Sequence, residues 1–105
     1  MVLELARFTI HDGAEEKLLA ERPAMIDALR RRFPALLAAF LTKEDDGGWL
    51  DVILWRDREA AEESAKVIGT VPGAMEWLRH IAESGGLRHA EVLDTWVADD
   101  VTAGR

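Results

Sequence analysis

The residues of this chain that could bind or transform a small molecule are few: three histidines, four tryptophans, and charged residues set among apolar neighbours. His11, His80 and His89 are the general-base candidates, because a neutral imidazole can take a proton near neutral pH. None of them stands in a metal-ligand spacing such as HxxxH, and the chain has no GxGxxG, P-loop or GxSxG pattern. Cysteine is absent, which removes disulfides, thiol nucleophiles and zinc–cysteine sites together. No metal site is expected.

The charged candidates lie inside apolar patterns. Arg22 falls in the stripe between Leu18 and Met25. Arg7 and Asp51 lie on two apolar segments, 2–10 and 49–56, that read as strands. A buried charge needs a partner. Arg7 with Asp51, or Arg7 with Glu91, would meet that need structurally. The functional alternative is an anion site in which a guanidinium stabilises developing oxyanion charge. Trp55 ends the run WLDVILW and could stack on a flat aromatic molecule or simply fill the core. Trp77, among Met75, Leu78 and Ile81, reads as packing. Trp96 suits an interface, where aromatics are enriched.

The elements that must position these residues follow from the pattern. Residues 2–10, VLELARFTI, form a strand that ends at the turn signal His11-Asp12-Gly13. A helix is expected over 14–32, with Leu18, Leu19, Met25, Ile26, Leu29 and Phe33 as its apolar face. Glu15 and Glu16 at its start and Arg30, Arg31 and Arg32 at its end suit the helix dipole. Pro23 should kink or split it. Residues 35–42 and 49–56 form a hairpin around the polar turn 43–48. Asp57 caps a second helix over 58–68, and a third follows over 74–83. Gly85-Gly86 stops that helix, and 88–97 is the last strand. The order is β-α-β-β-α-β with the second helical segment split, the ferredoxin-like arrangement of an α+β domain with one antiparallel sheet. Residues 1–98 make one domain and 99–105 a flexible tail.

Along 49–56, Trp49, Asp51, Ile53 and Trp55 point one way and Leu50, Val52, Leu54 and Arg56 the other. Both faces are largely apolar, although helices cover only one. A second copy of the chain, sheet against sheet, is the simplest cover. The net charge of −7 argues against nucleic acid as a partner. No apolar run reaches the roughly 20 residues of a membrane span. An early Glu4, with no basic region ahead of an apolar one, does not read as a signal peptide. A cytoplasmic protein is expected.

With VLELARFTI before a glycine turn, PALLAAFL after the first helix, and WLDVILWRDREAAEESA, the chain resembles the antibiotic-biosynthesis-monooxygenase-like domains of the dimeric α+β barrel superfamily. The resemblance covers residues 2–96. It implies a homodimer and a cofactor-free monooxygenase acting on a small aromatic, polyketide-type substrate that reacts with oxygen as its own anion. The alternatives are a non-catalytic ligand-binding or stress-associated barrel and a purely structural dimerisation module. It also implies a pocket with Trp55 at the strand end. Many members carry a His about nine or ten residues further on, where this chain has Ser64 and Ala65. Haem-degrading members also want an Asn on the first strand, which is absent here, so haem degradation is not expected. The pocket candidates are thus Arg7, Arg22, Asp51, Trp55, Ser64 and Trp77, with no catalytic residue assigned.

Overall fold

A computed structural model describes residues 1–100. The element order is β1 (Val2–Ile10), α1 (Glu15–Arg32), β2 (Leu36–Lys43), β3 (Trp49–Trp55), α2 (Arg58–Val67), a single 3-10 turn at Ile68–Thr70, α3 (Ala74–Leu78) and β4 (Ile81–Glu91). The four strands form one antiparallel sheet in the order β2-β3-β1-β4. This is the expected α+β, ferredoxin-like arrangement. The tail expected over 99–105 lies, from residue 101 on, outside the described residues.

The local signals act as their chemistry requires. Glu15 and Glu16 occupy the first turn of α1, and Arg30, Arg31 and Arg32 its last. The Asp57 carboxylate accepts the Ala60 N–H at 2.8 Å and starts α2. Burial along β3 alternates without a break, with Trp49, Asp51, Ile53 and Trp55 inward. Trp49, Ile53 and Trp55 join Leu18, Met25 and Leu29 of α1 in the core between sheet and helices. Leu19, expected on that helix face, is instead half exposed.

Two expectations are corrected. Pro23 does not split α1, which runs unbroken from Glu15 to Arg32. Pro23 lies on the exposed side, where water can serve the carbonyl that the missing N–H leaves free. Gly85-Gly86 does not stop a helix. α3 ends at Leu78 and the two glycines lie within β4, so the last strand is Ile81–Glu91 and not 88–97. The register steps from Ala6–Leu87 to Phe8–Ser84, leaving two β4 residues opposite Arg7. That is a β-bulge, and Gly86 supplies its positive φ of 110°. At Gly85 a Cβ would sit 3.2 Å from the Arg7 carbonyl oxygen, so only glycine fits without displacing backbone.

Candidate active site

Strand β1 lies at the centre of the sheet between β3 and β4. Its helix-facing side carries Val2, Glu4, Ala6 and Phe8, so alternation places a carboxyl in an apolar row. Across the ladder, Glu4 pairs with Ile53 on β3 and His89 on β4. Glu4 is 8% exposed. Its Oε1 and the His89 Nε2 are both buried, have no hydrogen-bond partner, and stand 3.9 Å apart. That separation is too long for a direct hydrogen bond. The Trp55 indole N–H favours the ionised carboxyl of Glu4, but it does not complete a hydrogen bond and is the third orphaned polar group.

Burial, and then the negative charge of Asp51, push the Glu4 carboxyl up to about 7, against the weaker pull of Trp55. Glu4 therefore exchanges a proton near neutral pH, where an ordinary glutamate is fully ionised.

Glu4 borders a largely apolar cavity of about 460 Å³ between the sheet and the helical layer. Ala6 and Phe8 of β1, Ser64 and Ala65 of α2, and Leu87 of β4 are among its other walls. This volume lies in the range that holds a small organic ligand. None of the three histidines lines it.

The sequence candidates separate. Arg7 and Ser64 border the cavity, and Ser64 is almost fully buried. The Arg7 guanidinium is half exposed and ion-paired with Glu44 on the β2–β3 turn. Neither expected partner is reached. Arg7 lies one residue beyond Ala6, which faces Asp51, so alternation sends it to the opposite side of the sheet. Glu91 sits across from Val2, at the far end of β1. Asp51 pairs instead with Arg22 of α1 through hydrogen bonds of 2.6 and 2.5 Å, and both residues are buried. Arg22 also stacks over Trp77, 5.0 Å from the ring centre, and borders a separate cavity between α1 and β2. Trp77 donates its indole N–H to the Leu18 carbonyl at 2.8 Å and is core, as its neighbours implied.

Trp55 does not line the cavity. It is completely buried, edge-on to Phe33 at 6.1 Å, and the expectation of a stacking platform is corrected. Of the histidines, His80 lies past α3 and contacts Glu21 at 2.9 Å, while His11 is exposed. The residue that sequence reasoning passed over is Glu4. The available signal was its position between Val2 and Phe8 on an alternating strand. Among the described residues, no cluster of three or more His, Asp or Glu is placed to hold a metal ion, and no helix is long and apolar enough to cross a membrane.

A four-stranded antiparallel sheet in this order, with its helices on one side, is a ferredoxin-like α+β domain. The antibiotic biosynthesis monooxygenase family profile matches residues 1–66, and the chain belongs to that family. The matched span includes Glu4, Asp51, Trp55 and Ser64. No curated protein matches the chain. Among solved structures it is similar to SnoaB, a cofactor-independent oxygenase from Streptomyces nogalater, with a TM-score of 0.67 and 23% identity over 90% of this chain and 94% of that one. It is similar to Rv0793 from Mycobacterium tuberculosis, with a TM-score of 0.62 and 21% identity over 90% and 96% of the two chains. It is also similar to a MhuD mutant with two manganese protoporphyrin IX molecules per active site, with a TM-score of 0.63 and 20% identity over 92% and 100%. At these identities the likeness is one of fold.

Proposed function

We propose that this protein is a cofactor-independent, monooxygenase-like enzyme for a small aromatic, polyketide-type molecule, with dioxygen as co-substrate. The observation that carries the reading is the apolar cavity of about 460 Å³ with a single buried carboxyl at its wall. Apolar walls select a flat hydrophobic body and exclude water, and the carboxyl addresses one polar group on it. An electron-rich ring that gives up a proton becomes an anion able to react with dioxygen directly. Where the ring bears a reactive CH2, one oxygen enters as a carbonyl, and the two hydrogens leave with the other as water. No separate reductant is needed. The expected role of an arginine as anion stabiliser finds no support, since Arg7 is committed to Glu44 and Arg22 to Asp51.

The working unit in this proposal is a homodimer. The outer face of the sheet carries Leu3, Leu5, Leu50, Val52 and Leu54, all half-buried, beside an exposed Phe40. Such a face on a centrally placed strand pair suits an isologous contact, in which each copy covers the other with the same residues.

The test is oxygen consumption in an electrode with a panel of tricyclic phenols bearing a reactive methylene. Uptake by the wild type, abolished in the cavity-filling variant Ala65→Trp, is the expected result. Uptake no faster than without protein across the panel would overturn the reading.

A further inference from the structure

We infer that Glu4 is the base of this cavity, its carboxylate receiving the proton of a neutral phenolic or enolic hydroxyl on the bound molecule. The inference rests on the reading of the cavity as an aromatic-binding oxygenase site. In the step, the substrate O–H bond breaks and a new O–H bond forms on the Glu4 carboxylate. The electron pair stays on the substrate oxygen, giving the anion that dioxygen attacks.

Three buried polar atoms without partners converge here: Glu4 Oε1, His89 Nε2 and Trp55 Nε1. Folded chains satisfy nearly all such groups, so three of them gathered at a cavity-bordering carboxyl set Glu4 apart from a structural residue. Of the three residues, Glu4 borders the cavity and His89 and Trp55 do not. A hydroxyl both donates and accepts, and an ionised carboxylate is its strongest acceptor. The same geometry disfavours an anionic ligand. Glu4 would repel it, and the cation bordering the cavity, Arg7, is already held by Glu44.

The charged and titratable groups around Glu4 are Asp51 from β3, itself tied to Arg22 of α1, His89 from β4, and the outward Arg7 on its own strand. α2 contributes Ser64, which does not titrate in this range. With its carboxyl raised to about 7, Glu4 is a stronger base than an ordinary glutamate and is still largely ionised at pH 8.

The probes are 2-naphthol, neutral at pH 8, and 2-methoxynaphthalene, which has the same ring and no hydroxyl proton. At pH 8 the wild type should bind 2-naphthol at least about tenfold more tightly than the ether, a preference that shrinks at pH 5 where Glu4 is protonated. Glu4→Gln should lose most of the pH 8 preference, and Ala65→Trp should block both probes. Asp51→Asn, which removes the charge that raises Glu4, should move the onset of the preference to lower pH. The wild-type preference at pH 8 and its loss at pH 5 supply the test if Glu4→Gln does not fold. With a substrate that consumes oxygen, Glu4→Gln should lower kcat by about 100-fold or more and change KM much less. Equal binding of the two probes by the wild type, a preference that survives in Glu4→Gln, or no binding of either would each overturn the inference. Oxygen uptake without a hydroxyl preference sinks the role of Glu4 alone. The hydroxyl preference without oxygen uptake supports that role and sinks the oxygenase reading.

Discussion

Arg22 of α1 and Asp51 of β3 meet through two hydrogen bonds, 2.6 and 2.5 Å long, between buried side chains. The pair ties the longest helix to the sheet. Removing one partner leaves an uncompensated charge in the core, so Arg22→Met or Asp51→Asn should each cost about 3–5 kcal/mol. The double variant Arg22→Met/Asp51→Asn should cost clearly less than the sum of its single changes. Urea unfolding of the four proteins measures this. Additive losses would show that the pair contributes no coupling.

Glu4 makes stability depend on pH in the direction opposite to most carboxylates. Its folded value, about 7, lies above the ordinary 4.5, so the folded state holds the proton more tightly. Stability is then greatest below about pH 4.5 as far as this group is concerned, falls as pH rises, and reaches its floor above about pH 7. The shift corresponds to about 3 kcal/mol at most. Glu4→Gln should therefore match the wild type at pH 4.5 and exceed it at pH 8, as read by unfolding at both pH values. A wild type that gains on the variant with rising pH would contradict the assignment.

Trp55 is completely buried against Phe33. Trp55→Ala removes the ring and leaves a cavity, at a cost of about 3–5 kcal/mol. Trp55→Phe keeps most of the burial and removes the N–H that favours ionised Glu4, so in that variant the Glu4 carboxyl should titrate at a still higher pH. Denaturant titration and carbon NMR of the labelled glutamate carboxyl read the two effects. A small loss in stability would mean that the ring is poorly packed.

How far the sequence leads depends on whether a signal is local. The alternation of Trp49 to Trp55, the acidic first turn at Glu15 and Glu16 and the cap at Asp57 are local, and they reappear in the structure as read. Gly85-Gly86 is ambiguous because glycine ends helices and also builds bulges; the close approach of the Arg7 backbone, which decides the matter, is a tertiary fact. The Arg22–Asp51 pair joins residues 29 apart, on elements whose mutual rotation the sequence does not state. Strict use of alternation, however, rules out Arg7 as the partner of Asp51 and puts Glu4 inside. Its burial could have been read from VLELARF; its orphaned neighbour His89 could not, because that needs the correct β4 register.

The apolar outer face predicts self-association. Sedimentation equilibrium at micromolar concentration should give twice the 11.7 kDa chain mass, and a contact of roughly 1,200–2,000 Å² is the scale expected. Val52→Lys with Leu54→Lys places two charges on that face and should yield a folded monomer. A wild type that is already monomeric under these conditions would refute the dimer.

The most direct measurement is turnover under ¹⁸O2 with a tricyclic phenol bearing a reactive methylene, followed by mass spectrometry of the product. The account predicts one labelled oxygen in the product, formed by the wild type at pH 8 and reduced about 100-fold or more in Glu4→Gln. A product without label, or equal labelled product from both proteins, would contradict it.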